Sequence, residues 1–196
     1  ISGYGADLPD SGCGCLIIME DKKVAESCVH IYTGDGKGKT TAALGMAVRA
    51  AGHGLPVCVV QFLKGSFSGE VKSLGVLPQV TLIRLPKDYG FSFQMTQQQM
   101  QEITAQHNHM LESAAAWAKQ QPDGLLILDE IGDAVELKLI DADLVKQLVM
   151  HPMAEQIYTG HAEQPLFTEH ADYVTECRCV QHPYQSGVQA RKGIEY

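Results

Sequence analysis

The sequence predicts an α/β domain with a mostly parallel sheet of about six strands and helices on both faces. A glycine-rich loop separates an apolar run from a helical pattern within residues 29–44, and apolar runs then alternate with helical periodicity. One further apolar run, 125–128, ends in an acidic pair. Such alternation is typical of parallel strands joined by crossover helices. Residues 1–28, which carry several glycines, are predicted to form an irregular leader before a domain at 29–196.

Composition narrows the classes of partner. The chain has 196 residues, 45% of them hydrophobic, which is enough to bury a core. Its net charge of -8 argues against a general nucleic-acid binder, because phosphate backbones are held by clustered Lys and Arg. The longest apolar runs are too short to cross a bilayer, and no signal segment is recognisable. We therefore expect a cytoplasmic protein with neither nucleic acid nor membrane as partner.

The glycine-rich loop is predicted to bind phosphate. Its three glycines let the backbone N–H groups point inward, and the following helix N-terminus adds partial positive charge. Lys39 is expected to reach the phosphates and Thr40 to ligate Mg²⁺, while Lys37 is either another phosphate contact or a solvated lysine. The residues assigned to ATP are Gly34, Asp35, Gly36, Lys37, Gly38, Lys39, Thr40 and Thr41.

The loop departs from the common phosphate-loop pattern at one position. In G-x-x-x-x-G-K-[ST] the first glycine would fall at position 33, where this chain has Thr33. A glycine-rich hairpin with a chance Gly-Lys-Thr is the alternative. The preceding strand and the small-residue helix after it favour a variant phosphate loop, and therefore a P-loop NTPase (RecA-like) domain.

The remaining elements follow in order. Helices are predicted at 40–51, from a capping box of Thr96 and Gln99 to about residue 120, and after Asp141 as far as residue 150. Strands are predicted at 57–62, 80–85, 125–128, 156–159 and 173–180. The long helix has an apolar stripe of Met100, Ile103, His107, Met110, Ala114 and Trp117. On that stripe His107 is interpreted as a hydrogen-bonded core histidine, with a metal or ligand contact as the alternative.

Two C-x-C pairs are the notable cysteines. Cys13 with Cys15, and Cys177 with Cys179, offer four thiolates that could hold zinc. Structural zinc sites usually have C-x-x-C spacing, and the second pair falls within the predicted strand at 173–180. We expect reduced thiols without a metal.

The acidic pair at 129–130 is predicted to complete the nucleotide site. A buried strand ending in Asp129 and Glu130 would project carboxylates into the crevice where α/β sheets bind ligands. An acidic helix cap is the alternative. Downstream of a phosphate loop, a Walker B role is favoured, because Mg²⁺ on nucleotide phosphates needs one or two carboxylates. The predicted magnesium ligands are therefore Thr40, Asp129 and Glu130, and the catalytic set is Lys39, Asp129 and Glu130.

Five blocks of sequence together resemble one enzyme family. They are YTGDGKGKTTAA from Tyr32, VVQFLKG from Val59, LDEI from Leu128, TG at Thr159 and HPYQSGVQARKGIEY from His182. In this order they resemble the P-loop type of cob(I)alamin (corrinoid) adenosyltransferase over about residues 29–196. The second and last blocks are specific to that family, and its phosphate loop has the same displaced first glycine.

The resemblance implies transfer of the 5′-deoxyadenosyl group of ATP to Co(I) of a corrinoid, with triphosphate as leaving group. It implies Mg²⁺ (or Mn²⁺), a flavin-type reductase as electron donor and a homodimer. Phe91 and Phe93 match a segment whose aromatic rings displace the lower axial ligand of cobalt, the second ring often being Trp; ordinary packing is the alternative. His161 and Ala162 depart from a family T-G-R-G turn, and the contact made by that arginine is in doubt.

Two other classes stay open on the sequence. An ATPase releasing ADP and phosphate would use the same loop and acidic pair, with Thr159 as a polar sensor. A non-catalytic carrier of corrinoid or nucleotide would bind without turnover, which only the changed turn at 159–162 favours. The sequence leaves open whether the acceptor is cobalamin or an earlier corrinoid such as cobyrinic acid a,c-diamide.

Overall fold

The computed structural model describes residues 27–66, 68–90, 94–162 and 164–194, whose strands form one parallel six-stranded sheet. The strand order is β3-β2-β4-β5-β1-β6, and every pairing is parallel. This confirms the predicted α/β class. Along the chain the elements are β1 (Val29–Thr33), α1 (Lys39–Gly52), β2 (Val57–Gln61), α2 (Gly69–Leu74), β3 (Val80–Arg84), α3 (Gln97–Gln120), β4 (Leu125–Asp129), α4 (Ile131–Glu136), α5 (Ala142–Met150), β5 (Glu155–Thr159), α6 (Pro165–Thr168) and β6 (Tyr173–Glu176).

The helices cover both faces of the sheet, as predicted. On one face α1 packs its alanines against β2, β4 and β5, in a cluster with Leu74 of α2. On the other face α3, α4, α5 and α6 contribute to a larger core. Because β2 and β4 are covered on both sides, every residue of these two strands is buried, which explains their continuous apolar runs.

The last strand is shorter than predicted. β6 ends at Glu176, so the expected strand at 173–180 is wrong in its second half, and Cys177 and Cys179 lie beyond it. The reason is tertiary: the backbone carbonyl of Cys177 accepts a hydrogen bond of 2.7 Å from Gly36 N–H, so the chain leaves the sheet to cross the phosphate loop. Cys13 and Cys15 fall outside the described residues.

Helix α3 begins and packs as its sequence predicts. Thr96 and Gln99 form the capping box, and Ile103, Met110 and Ala114 are buried against the core. Met100 is an exception, with 37% of its surface exposed in the first turn. The predicted cap of α5 by Asp141 is also present. Within the described ranges, no helix combines the length and apolar character needed to cross a bilayer.

His107 is a hydrogen-bonded core histidine, as predicted. Its side chain is fully buried, and Nδ1 lies 2.8 Å from the carbonyl oxygen of Leu139. Nε2 accepts a hydrogen bond of 3.2 Å from Leu63 N–H. Since the carbonyl can only accept and the amide can only donate, the ring is neutral with its proton on Nδ1. Burial lowers the pKa of His107 to about 4.

Candidate nucleotide-binding site

The phosphate loop joins β1 to α1 at the edge where the strands of the sheet end. Gly34 and Gly38 have φ angles of 101° and 118°, a left-handed conformation that glycine adopts without strain. Lys39 begins α1 and is buried. Its ammonium donates hydrogen bonds to the carbonyl oxygens of Gly34, at 2.6 Å, and Gly36, at 2.9 Å. The loop therefore wraps around its own lysine.

Thr33 occupies the position where the common pattern has its first glycine. Its side chain is buried, and its hydroxyl donates to the carbonyl oxygen of His161 over 3.4 Å. The same carbonyl accepts a hydrogen bond of 3.1 Å from Gly34 N–H. Because threonine replaces the first glycine of the pattern, the loop has a side chain that bonds to the segment after β5.

The backbone after β6 packs directly against the loop. A Cβ atom at Gly34 would lie 2.4 Å from the carbonyl oxygen of Cys177, and one at Gly36 would lie 2.7 Å from it. Asp35 Oδ1 accepts a hydrogen bond of 2.9 Å from Cys179 N–H. Two loop glycines are therefore required by this close approach as well as by the cradle. No sequence signal indicated this contact.

Asp129 brings the two predicted motifs together. It ends β4 with a fully buried side chain, and its Oδ1 accepts hydrogen bonds of 2.8 Å from the hydroxyls of Thr40 and Thr159. Its Oδ2 accepts from the ammonium of Lys64 at 2.8 Å and from the Gln61 amide at 3.2 Å. One carboxylate thus links α1 with the ends of β2, β4 and β5.

Glu130 follows in a strained conformation. Its φ of 62° is unusual for a residue other than glycine, and such backbones concentrate at functional sites. Its N–H donates a 2.8 Å hydrogen bond to the Thr159 hydroxyl, and Oε1 lies 3.2 Å from the Lys64 ammonium. Burial raises the pKa of the Glu130 carboxyl, an effect that Lys64 opposes and the charge of Asp129 reinforces.

Lys64 lies in the VVQFLKG block that contributes to the resemblance, and the sequence alone indicates no role for it in the site. Its ammonium lies 2.8 Å from Asp129 Oδ2, 3.2 Å from Glu130 Oε1 and 3.4 Å from Thr40 Oγ1. Burial alone would lower the pKa of Lys64, but attraction to the two carboxylates outweighs it and raises the pKa. The available signal was a lysine shortly after a buried strand, at the edge where the other motifs also lie.

The oxygen atoms around this ammonium fit a divalent cation. Thr40, Asp129 and Glu130 offer hydroxyl and carboxylate oxygens, the hard donors that Mg²⁺ and Mn²⁺ prefer. All three residues contact the ammonium of Lys64, which shows that their oxygens form a site that favours a positive charge. A cavity of about 1050 Å³ opens beside it and is lined by the phosphate loop, Lys64 and Glu130.

Some predicted site residues are arranged differently. Lys37 and Thr41 line the cavity, but the Lys37 ammonium also donates a 3.2 Å hydrogen bond to the carbonyl oxygen of Ile194. His161 takes the position at which the resemblance implies an arginine, and both its N–H and its ring Nδ1 bond to Asp133 Oδ1, at 3.0 and 3.1 Å. Phe91 and Phe93 fall outside the described residues.

Comparisons with known proteins identify the family of this chain. Residues 25–196 match the family described as ATP:corrinoid adenosyltransferase BtuR/CobO/CobP. The corrinoid adenosyltransferase of Pseudomonas aeruginosa is 35% identical over 190 residues, which span 90% of this chain and 89% of the relative. That of Escherichia coli K12 is 33% identical over 90% of this chain and 91% of the relative. The corrinoid adenosyltransferase CobA of Salmonella typhimurium is 32% identical with the same coverage. This chain therefore belongs to the ATP:corrinoid adenosyltransferase family.

Proposed function

We propose that this chain transfers the 5′-deoxyadenosyl group of ATP to the Co(I) centre of a corrinoid, in the biosynthesis or salvage of adenosylcobalamin. The acceptor is cobalamin or an earlier corrinoid such as cobyrinic acid a,c-diamide. The observation that carries the proposal is the hydrogen bond of 2.8 Å between Thr40 and Asp129, which joins the phosphate loop to the acidic strand in a member of this family.

The transfer needs no nucleophilic side chain. An electron pair of Co(I) forms the cobalt–carbon bond at C5′, the C5′–O bond breaks, and its electron pair leaves with the triphosphate. The reduced metal of the substrate supplies the nucleophile, so no general base is required. The protein must hold C5′ in line with cobalt and stabilise the charge that gathers on the leaving group.

The phosphate loop and the acidic pair are proposed to stabilise the charge on the triphosphate leaving group. The N–H groups of Gly34 and Gly36 already donate to the carbonyl oxygens of His161 and Cys177, so the other N–H groups of the loop and the ammonium of Lys39 would contact the phosphates. Thr40, Asp129 and Glu130 would hold Mg²⁺ or Mn²⁺ among the oxygens that now surround Lys64. When bound, the metal would neutralise part of the triphosphate charge. Through its hydroxyl, Thr159 would keep the Asp129 carboxylate and the Glu130 backbone oriented.

The corrinoid is proposed to bind at the same edge of the sheet. β3 ends at Arg84 in a parallel sheet, so the chain that follows it starts at the edge where the phosphate loop lies. Phe91 and Phe93, a few residues further on, are proposed to displace the lower axial ligand of Co(II), which eases its reduction. A flavin-type reductase would supply the electron. A cytoplasmic homodimer completes the proposal, and light scattering of the purified protein tests the dimer.

Product analysis tests the reaction. Purified protein with ATP, Mg²⁺ and chemically reduced corrinoid should yield inorganic triphosphate and a light-sensitive cobalt–carbon bond in equal amounts. ADP with phosphate would instead indicate an ATPase. Tight binding of both substrates without either product would indicate a carrier. The Lys39→Ala variant serves as the control for contaminating activity, because its phosphate loop lacks the charge that the reaction needs.

A further inference from the structure

We propose that Lys64 is a tethered counter-ion of the metal site. It neutralises the acidic pair when no nucleotide is bound, and it contacts the triphosphate once a divalent cation has entered with ATP. The inference rests on the proposed function, because it takes the metal ligands to be Thr40, Asp129 and Glu130. Under this proposal Lys64 is a second lysine, besides Lys39 of the phosphate loop, that takes part in the reaction.

The position of the ammonium is the first argument. All three proposed metal ligands lie within 3.4 Å of Lys64 Nζ, and two of these contacts are charge-assisted, at 2.8 and 3.2 Å. Asp129 is fully buried, and a buried carboxylate without a positive partner is costly. In the nucleotide-free protein Lys64 therefore neutralises the carboxylates that the divalent cation would neutralise once it is bound.

The backbone that presents Lys64 is held in place from two sides. Leu63, the preceding residue, has a φ of 59°, which is strained for a leucine side chain. Its N–H donates to the buried ring of His107, and the N–H of Phe62 donates to the carbonyl oxygen of Asp129 over 3.0 Å. These two bonds hold the turn after β2 in this strained conformation, which places the Lys64 side chain beside the carboxylates. A solvated surface lysine needs no such support.

The same oxygens cannot serve both cations. A divalent ion of this kind binds oxygen at about 2.0–2.1 Å, so an ammonium within hydrogen-bond distance of all its ligands would occupy the same space. Lys64 lines the cavity that the phosphate loop also lines, and its four-carbon stem is flexible. Once the cation takes the carboxylates, the nearest negative charge for Lys64 is the triphosphate.

The test measures metal binding, not turnover. Mn²⁺ is titrated into the 196-residue chain without nucleotide, and free Mn²⁺ is followed by electron paramagnetic resonance. We expect Lys64→Met to bind Mn²⁺ about tenfold more tightly than wild type, because the competing charge is gone. Lys64→Arg should bind it as weakly as wild type. Lys119→Met, at the exposed last turn of α3, is the matched control and should not differ.

A second titration addresses the phosphate contact. With Mg²⁺ present, inorganic triphosphate should bind Lys64→Met about tenfold more weakly than wild type by calorimetry, with partial recovery in Lys64→Arg. Equal nucleotide-free Mn²⁺ affinity in wild type and folded Lys64→Met would overturn the counter-ion role. Equal triphosphate affinity would overturn the phosphate contact. If ATP fails to promote Mn²⁺ binding even in wild type, the proposed metal site itself is wrong, and the inference falls with it.

Discussion

The hydroxyl of Thr40 donates a hydrogen bond of 2.8 Å to Oδ1 of Asp129, which lies 89 positions further along the chain. Asp129 Oδ1 accepts a second hydrogen bond from Thr159, at the end of the strand that separates β1 from β4 in the sheet. Three chain segments thus meet at one carboxylate oxygen. Substitutions in the loop and in the acidic strand should therefore affect the same measurable quantity, the binding of ATP with its divalent cation.

Removing the side chain of Lys39 should greatly weaken ATP binding. Lys39→Ala deletes the only side-chain charge at the start of α1 and also the two bonds that close the loop around it. We expect ATP affinity to fall at least about tenfold by calorimetry, the scale of a lost charge-assisted hydrogen bond. Lys119→Ala should bind ATP like wild type. Adenosylation by Lys39→Ala at a near-normal rate would exclude this loop as the ATP site.

Thr40 should govern metal dependence more than nucleotide affinity. Thr40→Ala removes both a proposed metal ligand and a donor to Asp129. The Mg²⁺ concentration that gives half-maximal adenosylation should rise roughly tenfold or more, whereas Thr40→Ser should stay close to wild type. A shift of the same size in the serine variant would show that the methyl group, not the hydroxyl, matters.

The junction between α4 and the turn after β5 should not tolerate a methyl group. A Cβ atom at Gly160 would lie 2.8 Å from the Cα of Gly132, a backbone atom that cannot turn aside as a side chain can. Gly160→Ala should cost about 1–3 kcal/mol of unfolding free energy in urea and weaken Mg²⁺-ATP binding, because Glu130 caps the displaced helix. Gly52→Ala, where a methyl group meets nothing within 4 Å, should change stability by less than about 1 kcal/mol.

Stability should fall as the pH drops below 6.5, and His107 should account for much of the slope. Its folded pKa of about 4 lies below the ordinary 6.5, so the unfolded chain takes up the proton first. Its contribution is complete above pH 6.5 and is lost towards pH 4, at up to about 1.4 kcal/mol per pH unit. Urea titrations at several pH values between 7 and 5 give the unfolding free energy at each pH. This free energy should depend less steeply on pH in His107→Gln than in wild type.

The matched control for this titration is His109, two residues along the same helix with 77% of its side chain exposed. His109→Gln should keep the wild-type slope. If His107→Gln does not fold, proton NMR of the wild-type imidazoles decides the matter. A ring assigned to His107 that titrates near pH 6.5 would contradict the buried, neutral state.

The aromatic pair at 91 and 93 should act before the transfer step. Phe91→Ala and Phe93→Ala should damage turnover from Co(II) corrinoid much more than turnover from pre-formed Co(I), because ligand displacement serves the reduction. Wild type with ATP and Co(II) corrinoid should show a four-coordinate signal by electron paramagnetic resonance. Both variants should lose that signal and keep their ATP affinity.

Phe93→Trp tests the same hypothesis in the opposite direction. The larger ring offers more apolar area against the corrin, so the four-coordinate fraction should be preserved or increased. Equal losses from the Co(II) and Co(I) starting states in the alanine variants, with the four-coordinate signal intact, would assign both rings to core packing.

The sequence predicted those features that local patterns encode. The phosphate loop, the continuous apolar strands, the capping box at Thr96 and the buried position of His107 each follow from residues close together in the chain. The contacts of Lys64 depend on β2 lying beside β4, and no local pattern specifies that neighbour. The crossing of Cys177 over the loop is likewise a tertiary contact, which is why strand β6 was predicted too long.

The place of β1 in the sheet has a consequence for synthesis. β1 is the first described strand, yet it is hydrogen-bonded to β5 and β6, the last two, and Asp172 accepts the N–H of Val29 from 143 positions away. At 5–20 residues per second, a ribosome needs about 7–30 s to make that stretch. For most of this interval neither β5 nor β6 has been made, so the backbone of β1 lacks both of the strands it pairs with. A translation pause between β1 and β5 should therefore prolong exposure of this strand and increase the yield of aggregated chains.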